Sequence, residues 1–125
     1  VAQIREYPAW VEKVYDGDTL TVFVDLGFDT WRHTDVRLVV TGKLGINAIE
    51  LKDPGGKEAR AELLRLAPLG SSVQVTSYGW DKYGGRIDAA IILADGRNLG
   101  EELVRAGWAA QWDGKGARPL PNWPR

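Results

Sequence analysis

Five polar side chains, widely separated along the chain, are of types that together suit the chemistry of a phosphate ester: Asp18, Arg37, Asn47, Glu50 and Arg86. Asp16-Gly17-Asp18-Thr19 sets two carboxylates at a turn, and Asp18 is a candidate ligand for Ca²⁺, a hard cation that prefers carboxylates and carbonyls. Asn47 offers a neutral oxygen of the same kind, and the Ala48 carbonyl a further one. Arg37 and Arg86 carry planar guanidinium forks that stay charged and bond phosphate bidentately. Glu50 is a candidate to take or orient the proton of an attacking water. In Asp81-Lys82-Tyr83-Gly84-Gly85-Arg86, Lys82 and Tyr83 are candidates to grip a nucleotide's phosphate and base. Charge builds on the phosphoryl oxygens at the transition state of hydrolysis, so two guanidiniums and a divalent cation would stabilise it. Each piece also has a plain structural reading. The Asp-Gly pair makes a turn, Arg37 is a solvated strand residue, Glu50 precedes a helix, and 81–86 is an ordinary loop.

Positioning these groups falls to a pattern of strands with two helices. Asp16-Gly17-Asp18 separates two apolar, β-branched runs, 9–15 and 19–25, which is a strong hairpin signal. In the second run Leu20, Val22 and Val24 share one face while Thr21 and Phe23 take the other. A turn at 27–29 leads to a third strand, 30–40. After Asp53-Pro54-Gly55-Gly56, the spacing of Ala59, Leu63 and Leu66 predicts a helix over 57–67, stopped by Pro68 and Gly70. Strands follow over 72–78 and 86–93. A short helix then places Leu99, Leu103 and Val104 on one side, with Gly107 as its cap. The stretch from Trp108 to Arg125, rich in Trp, Gly and Pro, reads as an irregular tail. Three strands, a helix, two strands and a closing helix make a mainly β, α+β domain: a five-stranded OB-fold Greek-key barrel.

At 125 residues the chain reads as one domain, and 44% hydrophobic with 26% charged residues is ordinary for a globular protein. No apolar run approaches the ~20 residues of a membrane helix. The opening VAQIREYPAW lacks the pattern of a signal peptide, and secreted and cytoplasmic locations both stay open. There is no Cys and one His, His33, which excludes thiolate chemistry and a multi-histidine zinc centre. A net charge of −1 requires any positive surface to be local, and Arg105, Lys115, Arg118 and Arg125 supply a candidate near the end of the chain. A monomer is expected. Trp10, Trp31, Trp80, Trp108 and Trp123 read mostly as core or tail anchors.

YDGDT, then RL with GINAIE, then DKYGGR, then DGRNLGEELVRAGWA occur in the order found in staphylococcal nuclease and its relatives. The chain resembles these thermonuclease-like domains from about residue 12 to about residue 112. The resemblance implies an OB-fold nuclease that uses Ca²⁺ and cuts single-stranded DNA and RNA with little sequence preference. By that likeness Asp18 and Asn47 are metal ligands, and Ala48 donates its carbonyl. Arg37 and Arg86 are the two catalytic arginines, Arg86 assisting the leaving 5′ oxygen, and Glu50 activates or positions the water. Lys82 and Tyr83 line the nucleotide pocket, and Trp112 lies near the family's nucleotide-contacting aromatics. The sequence departs from the pattern in four places. Val39-Val40-Thr41-Gly42-Lys43 is inserted between Arg37 and Asn47. An excursion there keeps Arg37 facing Glu50, whereas a one-residue slide of the strand turns Arg37 to the other face. Asn47 stands for an aspartate, implying weaker Ca²⁺ binding; Ile49 stands for a proline; and Gly85 lengthens a turn. The alternative is a silent OB-fold module that binds single strands through Lys82, Tyr83, the tryptophans and the basic tail.

Overall fold

The structure, a computed structural model, describes residues 4–42, 44–82 and 84–121. Alternation of apolar and polar residues builds the first three strands, β1 (Arg5–Asp16), β2 (Thr19–Gly27) and β3 (Thr30–Thr41). Their inward side chains, among them Val11, Leu20, Val22, Val36 and Leu38, are fully buried. β3 continues through Thr41, reverses at Gly42 (φ 48°) and returns as β4 (Leu44–Ala48). Helix α1 (Gly56–Leu66) follows, then β5 (Ser72–Trp80), β6 (Arg86–Ile92), α2 (Leu99–Arg105) and β7 (Ala109–Trp112).

The barrel closes through pairings that chain order alone does not give. β1 pairs antiparallel with β2 and β5, β2 with β3, and β5 with β6, while β6 runs parallel to β3. Five strands, β1-β2-β3-β6-β5, thus form a closed OB-like barrel with α1 between its third and fourth strands and α2 after the fifth, as the sequence predicts. Leu63 of α1 and Leu99 and Leu103 of α2 complete the core with Leu20, Leu38, Ile46 and Ile91. No helix among the described residues is long and apolar enough to cross a membrane.

Two elements differ from the sequence reading. Of the inserted residues, Val39, Val40 and Thr41 form the end of β3 and Gly42 turns the chain toward β4, so the insertion is an excursion and β3 keeps its register, while Lys43 lies outside the described residues. The tail is not irregular from Trp108 onward: Ala109–Trp112 is a strand that pairs with β4 (Ala48↔Ala109, Gly45↔Trp112). Without β4 the sequence offers that segment no ladder to join, which is why its strand is missed. The tryptophans differ as well. Trp10, Trp31 and Trp80 are exposed at 41%, 39% and 54%, so they are not core anchors. Trp10, Phe23 and His33 are cross-strand neighbours, placed where the alternation points outward, and the ring centroids of Trp10–Trp31, Phe23–Trp31 and Phe23–His33 lie 4.8, 5.1 and 4.6 Å apart. Trp108 does pack against the core, and Trp123 lies outside the described residues.

Gly56 opens α1 against the chain that carries Glu50. A Cβ built at Gly56 would stand 2.0 Å from the Glu50 carbonyl oxygen, so the helix start and the 50–55 turn fit only without a side chain. Gly56→Ala is therefore expected to lower unfolding free energy by about 1–3 kcal/mol, the usual cost of overpacking. Urea unfolding measures it, and an unchanged midpoint would mean the two segments are not packed this way.

Candidate functional site

The alternation that buries Val36 and Leu38 turns Asp35 and Arg37 outward on β3. On the neighbouring parallel strand, Arg86 lies opposite Asp35 and Asp88 opposite Arg37. Two arginines and two carboxylates thus occupy diagonal corners of one patch, spaced by the strand repeat. The patch opens into a groove of about 630 Å³, lined by Arg37, Lys82, Arg86, Asp81, Asp88, Trp112 and Arg118 among others.

Each guanidinium has a distinct support. Arg86 Nε donates to Asp81 Oδ2 at 3.0 Å, and the Asp81 amide donates to the Arg86 carbonyl at 2.9 Å, closing the 81–86 loop on itself. Arg37 lies over the Trp112 ring, 5.3 Å from its centroid, and Arg118 lies over the same ring at 5.4 Å. Arg118 also reaches Glu50, Nη1 to Oε1 at 3.6 Å, while Lys52 takes the other oxygen at 3.5 Å. Glu50 is exposed and is not among the residues that line the groove. Among the described residues no ion pair joins it to Arg37 or Arg86; the Arg118–Trp112–Arg37 stack is the connection.

The oxygen-rich corner lies next along β3. Thr19 pairs with Arg37, and the Leu38 amide donates to the Asp18 carbonyl at 2.9 Å. Gly17 allows the hairpin tip to close on β4 and α1, since a Cβ there would stand 2.7 Å from the Ala48 Cβ and 3.0 Å from that of Ala59. The Asp18 carboxylate accepts from the Ala48 amide through Oδ2 and from the Thr19 hydroxyl through Oδ1, both at 3.1 Å. Asn47 is buried, and its Nδ2 donates to the Pro119 carbonyl at 3.0 Å, so the tail fixes its amide. Its Oδ1 accepts no hydrogen bond among the described residues. Asp16 sits beside Asp18, accepting the Asp18 amide at 3.2 Å. Burial first, and then hydrogen bonding and repulsion from the Asp18 carboxyl, raise its carboxyl to about 7.

This corner fits a hard divalent cation. Its donors are all oxygen, the Asn47 amide oxygen accepts no hydrogen bond from the described residues, and two carboxyls press on each other, a repulsion that a cation would relieve. Asp18, Asn47 and Ala48 would hold it.

The structure therefore gathers Arg37, Arg86, Lys82 and Trp112 in the groove, sets Asp18, Asn47 and Ala48 together beside it, and links Glu50 to it through Arg118. Tyr83 lies outside the described residues. The sequence reading passes over Asp88 and gives Arg118 only as part of the basic tail. Asp88 was detectable, because a residue two beyond Arg86 on a strand shares its face. The basic run gives no sign that Arg118 meets Glu50, because only the path of the tail after β7 brings them together.

No family model matches the chain. Over 99 residues, 79% of this chain, it is 33% identical to an Escherichia coli protein described as an uncharacterized endonuclease. The chain spans 57% of that protein's length.

The raised Asp16 carboxyl sets a pH dependence. Between the ordinary value of 3.8 and about 7 the folded chain holds a proton that the unfolded chain releases, so this group's contribution to stability is greatest at low pH and is lost as pH rises through that window. Asp16→Asn is expected to flatten the dependence of the urea midpoint on pH between about 4 and 7 in metal-free buffer. An equally steep dependence in the variant would place the titration elsewhere.

Proposed function

We propose that the chain is a phosphodiesterase nuclease of the thermonuclease-like type, with the scissile phosphate bound in the groove across β3 and β6. The observation that carries this reading is the register of those strands, which turns Arg37 and Arg86 to one groove beside an all-oxygen corner. The Escherichia coli relative described as an endonuclease points the same way.

Arg37 and Arg86 donate to the phosphoryl oxygens and stabilise the charge that grows on five-coordinate phosphorus. Asp81 keeps the Arg86 fork aimed at the groove, and Trp112 does the same for Arg37. Glu50, held by Arg118 and Lys52, orients the attacking water and takes its proton. Ca²⁺ is the proposed cofactor; Asp18, Asn47 and the Ala48 carbonyl would hold it, and it would supply positive charge to offset that of the phosphate. Lys82 and Tyr83 take the adjoining nucleotide. Because these groups address phosphate rather than base edges, little sequence preference is expected. Single-stranded DNA and RNA are the proposed substrates, and a monomer suffices because the groove is built within one chain.

A second reading, a non-catalytic module for single strands, is favoured by the outward-facing row of Trp10, Phe23, Trp31 and His33, which lies across β1, β2 and β3. One assay separates the two. With single-stranded DNA and Ca²⁺ the enzyme cuts, and cutting is lost with chelator and falls by about 10²-fold or more in Glu50→Gln. Arg37→Ala is expected to fall by about 10²–10³. Binding without cutting by the unaltered chain would establish the module instead. Asn47→Asp adds a negative ligand and is expected to lower the Ca²⁺ concentration for half activity; an unchanged requirement would remove Asn47 from the metal corner.

A further inference from the structure

One carboxyl in the groove has no part in that chemistry. Asp88 stands opposite Arg37 and two residues beyond Arg86, so strand alternation puts it on the face that carries both arginines. It is half-buried and lines the groove. Among the described residues its carboxylate makes no hydrogen bond and no ion pair, although two guanidiniums share its surroundings. A carboxylate kept partly out of water without a partner is costly, and retaining its proton lowers the cost. Burial, and then the Asp81 charge, raise its carboxyl above the ordinary 3.8, against a smaller pull from Arg37 and Arg86. A residue present only to neutralise Arg37 would pair with it. Asp88 does not.

Arg86 can assist the leaving oxygen by charge, as the likeness implies, but the proton that this oxygen needs still lacks a donor. The departing alkoxide is a poor leaving group and needs a proton, and a guanidinium holds its own too tightly to give one up. We propose that Asp88 is the general acid of the reaction, delivering its carboxyl proton to the ester oxygen as that oxygen leaves phosphorus. The proposal rests on the phosphodiesterase reading above. The step balances as follows in bonds and protons. The water oxygen bonds to phosphorus while one of its protons passes to the Glu50 carboxylate. The bond from phosphorus to the ester oxygen breaks with its electron pair on oxygen, and the Asp88 proton joins that oxygen as a hydroxyl. Glu50 then releases a proton to solvent and Asp88 takes one up, so the net change is one water added across one ester bond. Asp81, Arg37 and Arg86 are the charged groups that act on Asp88, and Lys82, Asp113, Lys115 and Arg118 also line the groove.

The test compares two substrates in the full chain with Ca²⁺: a dinucleotide, whose leaving group is an alkoxide, and a nucleotide p-nitrophenyl ester, whose leaving group needs no proton. Asp88→Asn is expected to lower kcat on the dinucleotide by about 10²-fold or more and on the p-nitrophenyl ester by less than about fivefold. Asp88→Glu, which keeps an acid, retains more dinucleotide activity than Asp88→Asn. In the metal-free protein, the carboxyl ¹³C resonance that disappears in Asp88→Asn titrates above the ordinary aspartate range. Equal loss on both substrates, no loss on either, or a resonance that titrates in the ordinary range would overturn the acid role while leaving the nuclease reading intact. An unaltered chain that cuts neither substrate overturns the nuclease reading and the acid role with it.

Discussion

The parallel pairing of β3 with β6 is the constraint on which the rest depends. Its ladder, Asp35↔Arg86, Val36↔Ile87, Arg37↔Asp88 and Leu38↔Ala89, sets a polar outer row against an apolar inner one. Val36, Leu38 and Ala89 have no exposed surface, and Ile87 packs against them. Slipping either strand by one residue would drive a charged side chain into the barrel and expose an apolar one. Each buried Val or Leu is worth about 1.5–3 kcal/mol, and an unpaired buried charge costs more. The hydrophobic core therefore decides which charged groups meet on the outside. The arginines need no mutual attraction to converge; their repulsion is overridden by the strands that carry them.

A second layer adjusts the site without being part of the barrel. The turn at Gly42 sends β4 back along β3 and presents Ala48 to the Asp18 carboxylate. β4 in turn gives β7 an edge to pair with, and the chain leaving β7 returns Arg118 to Glu50 and the Pro119 carbonyl to Asn47. The extra residues after Arg37 and the tail are thus two halves of one structure, in which each would lack a partner without the other. Exposed ion pairs such as Arg118–Glu50 add little stability individually. Their value here is directional, since stacking on Trp112 restricts where the guanidinium can lie.

How much of this is legible in the sequence depends on the range of the interaction. The hairpin at Asp16-Gly17-Asp18, the α1 periodicity through Ala59 and Leu63, and the five barrel strands are written in local pattern, and the structure carries them. The position of Arg37 depends on whether Val39 to Lys43 slide the strand or leave it in place, and local pattern does not say. The buried inner row of β3 decides that. β7 escapes notice because Ala109–Trp112 is a strand only by virtue of β4. Trp10 and Trp31 mislead because bulk suggests the core, whereas alternation with Ala9 and Val11 already assigns Trp10 to the surface. Asp88 was legible by strand period alone, and Arg118 was legible as part of a basic tail but not as the partner of Glu50.

The central claim is that Arg37 and Arg86 act on one phosphate. It is tested most directly by following their side-chain Nε–H resonances while a non-hydrolysable phosphorothioate-linked dinucleotide is titrated into the folded chain with Ca²⁺. Both resonances are predicted to shift together, with a single dissociation constant. Movement of only one, or of neither while the dinucleotide binds elsewhere on the barrel, would contradict the account.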